Sequence, residues 1–231
     1  GDHVERRRQP VQGVGDHRAG SVTDTARMRP TATYRAIGTA SIPLLRGLYR
    51  LRVTGRENIP DEGGFVLAAN HNSNFDPWPL GIGLFPDRFL RFMGKSELFW
   101  FPLGTFIGAA GAFPVRRGQA DLEAIETAVE LCREGHAVVM FPEGTRRKKG
   151  LAKRRQAKAH TGAARIALEA DVPLVPAAIK GTDRLARFAR LSVVYGPPME
   201  LDDLRGKDVR EAATIATDRL MAEIDRLEAT L

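Results

Sequence analysis

Along most of this chain, short unbroken apolar runs alternate with stretches whose apolar residues recur every three or four positions. No other feature restricts the fold so strongly. A strand buried on both faces reads as a continuous apolar run, and the helix that carries the chain back to a parallel neighbour reads as amphipathic. Strands are predicted over 63–70 (GGFVLAAN), 88–93, 112–116, 136–141 (HAVVMF), 172–179 (VPLVPAAI) and 191–195. Helices are predicted over 76–85, where Pro77 is tolerated in the first turn, and over 120–134, 157–170 and 210–231. In 120–134 the buried stripe is Leu122, Ile125, Val129 and Cys132, and Gly135 ends the helix. In 210–231 the stripe is Ile215, Leu220, Ile224, Leu227 and Leu231. The pattern implies an α/β fold: a single layered domain with a mostly parallel central sheet flanked by helices. The 231 residues suit one domain, and neither an internal repeat nor a Pro-, Gly- or Ser-rich linker divides them. That domain is taken as 31–231.

In front of it, residues 1–30 are polar, Gly- and Arg-rich and without periodicity, the pattern of a disordered tail. They hold no apolar run long enough for a signal-peptide core. Globular patterning begins only after Met28, so Met28 is the expected natural start, and removal of residues 1–27 is expected to leave fold and activity intact. Over 33–52, Tyr34, Ile37, Leu44, Leu45, Leu48 and Tyr49 interleave with Arg35, Arg46, Arg50 and Arg52, an amphipathic N-terminal helix interrupted by Pro43. It suits either packing on the core or an interfacial position, with arginines at anionic headgroups. The uncharged stretch 98–115 has the length of a minimal membrane span, but Pro102, Gly104, Gly108, Gly111 and Pro114 break it into a buried helix, a turn and a strand. Its aromatic start, Phe99-Trp100-Phe101, remains suited to touching a membrane surface.

Lys and Arg number 35 against 28 Asp and Glu, a formal charge of +7. A basic excess of this kind calls for an anionic partner: nucleic acid, an acidic membrane face or a phosphorylated metabolite. The single cysteine, Cys132, excludes a disulfide framework and a multi-cysteine metal site, and its place on a helical stripe makes it a core residue. No metal is expected.

Two clusters carry chemistry. The first, Asn70-His71-Asn72-Ser73-Asn74-Phe75-Asp76, lies where a strand ends and a helix begins, the place where α/β proteins present side chains to ligands. On a continuous helix the five-residue step from His71 to Asp76 advances about 500°, and the two side chains would diverge. A turn, which the Asn and Ser residues favour, lets the carboxylate fold back on the imidazole and leave the second ring nitrogen as a base. The plainer reading makes Asp76 an N-cap and His71 a turn residue. No Gly-x-Ser-x-Gly elbow accompanies them, so the proton is expected to come from substrate rather than from an enzyme serine. The second cluster, Phe141-Pro142-Glu143-Gly144-Thr145-Arg146, also follows a strand. Gly144 admits close backbone approach, Thr145 offers a hydroxyl, and Arg146 offers a planar fork matched to phosphate oxygens.

Asn-His-x-Ser-x-x-Asp followed by Phe-Pro-Glu-Gly-Thr-Arg resembles the glycerolipid (lysophospholipid) acyltransferase family, typified by 1-acyl-glycerol-3-phosphate acyltransferase. The resemblance spans roughly 52–197 and includes VTGRENIP (53–60), KSELF (95–99), GAFPVRRG (111–118) and VPLVP (172–176). It implies that His71 acts as general base on the free hydroxyl of a lysophospholipid, with Asp76 orienting it. The oxygen then attacks the thioester of acyl-CoA or acyl-carrier protein without an acyl-enzyme, and no cofactor beyond that co-substrate is implied. Glu143, Gly144 and Arg146 would bind the phosphate side of the acceptor, with Thr145 beside them, assisted by Arg116 and Lys95. Val175 and Pro176 would shape the acyl or acceptor pocket.

The basic run from Arg146 to Arg155 exceeds what the motif requires and suits an acidic carrier protein, the phosphates of CoA or anionic lipid. Because residues 1–30 carry no long hydrophobic anchor, peripheral attachment to the cytoplasmic face of an anionic membrane is expected rather than spanning. Two rivals stand beside this reading. A thioesterase would use the same His71–Asp76 pair to activate water. A nucleic-acid-binding module would use the basic run, but that run lacks interleaved aromatics and no nucleic acid is expected.

Overall fold

The computed structural model describes residues 32–95, 97, 99–115, 121–144 and 159–231, and of residues 95, 103, 106, 114, 115 and 121 the backbone alone. Helix α1 (Ala32–Pro43) runs into a π-helical turn (Leu44–Leu48), followed by β1 (Arg52–Thr54). Then come β2 (Phe65–Ala69), α2 (Pro77–Leu84), β3 (Leu90–Lys95), α3 (Leu103–Ala109) and β4 (Ala112–Val115). The rest is α4 (Asp121–Arg133), β5 (Ala137–Met140), α5 (Gly162–Ala170), β6 (Leu174–Lys180), β7 (Ser192–Tyr195) and α6 (Val209–Glu228). The seven strands form one sheet in the order β1-β7-β6-β2-β5-β3-β4. All neighbours pair in parallel except β6 with β7. The layered, mostly parallel α/β architecture is the one predicted.

The sheet is buried on both faces, as the unbroken apolar runs require. Along β2, Val66 and Ala68 point to the layer of α4, α5 and α6, while Phe65, Leu67 and Ala69 point to α2 on the other side. Over α2 lies the N-terminal segment, whose Leu45 packs with Ile82 and Leu191. Helix α6 seats Leu220, Ile224 and Leu227 against the sheet, roughly 2 kcal/mol of burial each. Ala212, Ala213 and Ala216 complete that face, so small residues do the work that the predicted stripe assigned to Ile215 and Leu231, both only partly buried.

Three further expectations change. Leu122 is exposed, and α4 buries Ala128, Val129, Leu131 and Cys132 instead. Helix α5 begins at Gly162, with residues 159 and 160 outside it, and the His160 amide ties this stretch to the loop after β5 by donating to the Pro142 carbonyl at 2.7 Å; residues 157 and 158 lie outside those described. The uncharged stretch gives α3 and β4, yet α3 is only partly buried, and Trp100 and Phe101 before it face solvent. Among the described residues no helix is long and apolar enough to cross a membrane. Residues 1–30, read as a tail, lie outside those described.

Strand direction has one consequence for everything below. The C-terminal ends of β2, β3, β4, β5 and β6 and the N-terminal ends of β1 and β7 line the same edge of the sheet.

Cys132 sits deep in the core, its thiol donating toward the Phe65 carbonyl at 3.8 Å, and burial pushes that thiol up to about 12. It stays protonated at neutral pH, and the thiolate is the reactive form. A thiol reagent at pH 8 should leave the folded chain unmodified and titrate one group only after denaturation; rapid labelling of the native state would place Cys132 elsewhere.

Candidate active site

The first cluster follows β2 at the shared edge. Beyond the last ladder pair, Ala69 with Ala177, the side chain of Asn70 takes over the backbone's role: its amide donates to the Ile179 carbonyl at 3.0 Å and its Oδ1 accepts from the Ile179 amide at 2.8 Å. Asn72 adds a second donor to the same carbonyl at 2.9 Å. These bonds pin the turn to β6, and the chain reverses before α2 begins.

Within that turn His71 and Asp76 meet. His71 Nδ1 lies 2.8 Å from Asp76 Oδ2, which also accepts from the amides of Asn72 at 2.7 Å and Ser73 at 2.8 Å. The other oxygen, Oδ1, accepts from the hydroxyl of Thr182. The Asp76 side chain is wholly buried, while that of His71 keeps 17% of its surface exposed. A buried carboxylate is tolerated only when donors replace its water, and here four do. An ionised carboxylate accepts only, so Nδ1 carries the proton and Nε2 is left with a free lone pair. Asp76 stands at the N-cap position of α2, yet its side chain makes no cap there. It is spent backward on the turn.

The second cluster follows β5 at the same edge. The Phe141 ring stacks on His71, centroids 4.3 Å apart and planes 21° apart. The Gly144 amide donates to the Phe141 carbonyl at 3.0 Å, closing a turn with Gly144 at φ +66°. The left-handed backbone angle favours glycine, and a Cβ there would also crowd the His160 ring, which would have to move aside. Glu143 is half-buried beside it. Lys95 ends β3 at this edge. Thr145, Arg146, Arg116 and the basic run to Arg155 lie outside the described residues. Val175 is enclosed in the core between the sheet and α2, and Pro176 is buried beside it in β6.

The two motifs thus share one site, and the matching family model, Acyltransferase, covers residues 50–180, the stretch that contains both. The chain belongs to the acyltransferase family. A 1-acyl-sn-glycerol-3-phosphate acyltransferase of Bacillus subtilis is 33% identical over 184 residues, 77% of this chain and 88% of that protein. One from Streptococcus pneumoniae is 28% identical over 178 residues, 74% of this chain and 64% of that one. The crystal structure of PlsC, the 1-acyl-sn-glycerophosphate (LPA) acyltransferase of Thermotoga maritima, shares the fold with a TM-score of 0.63. It covers 89% of this chain and 86% of that one at 24% identity.

Two residues of this acyltransferase site escape a reading of the sequence. Phe141 was visible as part of its motif, but its stacking on His71 follows from β5 lying beside β2. Thr182 left no signal beyond its place just after a predicted strand, 106 residues from the carboxylate it serves. Thr182→Val, which keeps the shape and removes the hydroxyl, should lower kcat about tenfold or more, the worth of a hydrogen bond to a charged group. Thr182→Ser should stay near the parent. Steady-state kinetics of both variants, with KM for each substrate little changed, is the check.

Proposed function

We propose that this acyltransferase moves a fatty acyl group from acyl-CoA or acyl-carrier protein to the free hydroxyl of a lysophospholipid. The acceptor is 1-acyl-glycerol-3-phosphate and the product phosphatidic acid. The observation that carries the reading is the His71–Asp76 contact, with the imidazole stacked on the first residue of the Phe-Pro-Glu-Gly motif. Family membership and the relatives from Bacillus subtilis and Streptococcus pneumoniae, both 1-acyl-sn-glycerol-3-phosphate acyltransferases, support the same reaction and favour neither thioester hydrolysis nor nucleic-acid binding.

In the proposed reaction the acceptor O–H donates its proton to His71 Nε2 as its oxygen bonds to the thioester carbon. Asp76 stabilises the imidazolium that forms. The tetrahedral intermediate collapses with cleavage of the C–S bond, and the leaving thiolate takes up a proton, returning His71 to its neutral form. Thioesters suit direct transfer because a thiolate leaves readily. The turn at Gly144 presents backbone to the acceptor, with Glu143, Thr145 and Arg146 on its phosphate side and Arg116 and Lys95 as further cationic contacts. The donor enters as a co-substrate. The chain works as a peripheral protein at the cytoplasmic face of an anionic membrane, where its acceptor resides.

His71→Ala should lower turnover by about two orders of magnitude or more while the fold survives, in keeping with loss of a general base; near-normal turnover would reject the assigned base. Thiol release from acyl-CoA should depend on added lysophosphatidic acid, and release independent of acceptor would make the enzyme a thioesterase. Arg146→Ala should raise KM for the acceptor, and Arg146→Lys should recover only part of the loss because the fork is gone. A normal acceptor KM in both would remove Arg146 from the phosphate site.

A further inference from the structure

Arginines on much of this surface are neutralised by carboxylates. Arg219 grips Asp203 with two hydrogen bonds, Arg226 pairs with Glu223, and Arg205 pairs with Asp171 and Asp202. On one face of the described surface carboxylates are scarce. Residues 32–54 and 184–199 contain no Asp or Glu, and tertiary structure packs parts of the two together. β1 pairs with β7, the Leu191 amide donates to the Tyr49 carbonyl at 3.1 Å, and the Arg50 guanidinium donates to the Phe188 carbonyl at 3.2 Å. The surface so formed exposes Arg46, Arg50, Arg52, Arg184, Arg187 and Arg190. Among the described residues, the one carboxylate within ion-pair reach of these six is Asp183, 3.6 Å from Arg184.

Between the arginines stand apolar side chains that a water-facing surface has no use for. Leu44 and Leu48 are exposed, and Phe188 shows 52% of its surface. Phe188 holds a left-handed backbone, φ +51°, which a bulky residue rarely adopts. Its ring lies 6.0 Å from that of Tyr49, which in turn lies 6.4 Å from Trp78 in the first turn of α2. The aromatic is therefore propped outward by the fold.

This face adjoins the catalytic site. It is built where β1 and β7 begin, the edge at which β2 and β6 end. Thr182, the partner of Asp76, opens the same 3-10 segment (Thr182–Arg187) that carries Arg184 and Arg187. Phe75, one residue before Asp76, is exposed as well.

We infer that the β6–β7 connection, Arg184 to Arg190, and the segment Leu44 to Arg52 form one docking surface for an anionic phospholipid bilayer. Phe188, Leu44 and Leu48 enter the headgroup–acyl boundary and the arginines meet lipid phosphates. Charge complementarity selects this occupant: a cationic face with apolar tips fits anionic headgroups above hydrocarbon, whereas an acidic protein would leave the tips unmatched. The inference rests on the proposed reaction for its purpose, since a lipid acceptor must reach His71 from the membrane, but it is tested without that reaction.

The test is cosedimentation of the full chain with vesicles of phosphatidylglycerol and phosphatidylcholine at low and high salt. Alongside runs turnover on a short-chain acceptor that stays monomeric in water. Arg184→Gln/Arg187→Gln/Arg190→Gln should weaken vesicle partitioning about fivefold per charge removed, roughly a hundredfold together. Phe188→Asp should abolish the part of binding that survives high salt. Turnover on the soluble acceptor should stay at the parent level in both. Parent-like sedimentation of the variants, or a parent that ignores these vesicles, overturns the docking surface. So does a variant that loses soluble turnover along with vesicle binding, because the connection would then be serving Asp76 through Thr182. A chain that binds vesicles as expected but transfers no acyl group to any acceptor would refute the reaction and leave the docking surface standing.

Discussion

Burying the Asp76 carboxylate is the constraint around which the rest of this structure is arranged. An ionised group removed from water costs several kcal/mol unless donors replace the solvent. The four donors come from two remote parts of the chain: three from His71, Asn72 and Ser73 within its own turn, and one from Thr182 beyond β6. The set can assemble only if β2 and β6 lie side by side in parallel, ending at one edge. Asn70 and Asn72 hold that arrangement by bonding to Ile179 where the backbone ladder stops. A fold-level property, strand adjacency, thereby becomes a chemical one: an imidazole with one nitrogen committed and the other free.

On its other flank β2 pairs with β5, with Ala68 opposite Met140. That register carries Phe141 past the strand end to the level at which its ring meets His71, and the turn through Gly144 follows at once. A slip of one residue would turn Phe141 to the opposite face and separate the motifs. The base and the loop proposed to hold the acceptor are therefore set by the same ladder. The fold has no need to bring them together through a flexible connection.

Charge is distributed with equal consequence. A net +7 says little by itself, because arginines on much of the surface are paired with carboxylates and many such pairs contribute almost nothing measurable. What matters is where pairing stops. Among the described residues it thins to the single pair of Arg184 with Asp183 along the edge that carries the His71 turn, on a face assembled from β1, β7 and their approaches. Exposed leucines and a phenylalanine share that face. For the proposed reaction, whose acceptor is a lipid, a cationic, apolar-tipped rim next to His71 would shorten the path from bilayer to catalysis.

The sequence by itself determined whatever depends on neighbours within a few residues. Helical periodicity located α4 and α6, unbroken apolar runs located β2, β5 and β6, and the Asn- and Ser-rich stretch between His71 and Asp76 pointed to a turn that permits the pair to meet, although the plainer reading left them apart. Its errors were also local readings defeated at a distance. Leu122 fits a helical stripe but is exposed, and residues 159 and 160 continue a helical pattern but join the loop after β5, where the His160 amide donates to the Pro142 carbonyl. Only the tertiary structure decided that β7 and β1 oppose the other strands, that Thr182 completes the carboxylate's shell, that Phe141 stacks on His71, and that two acid-free segments become one surface. Each of these joins residues widely separated in the chain. Such pairings are settled by which strands lie adjacent and in which direction, and a strand's own residues record that it is buried without recording its neighbour.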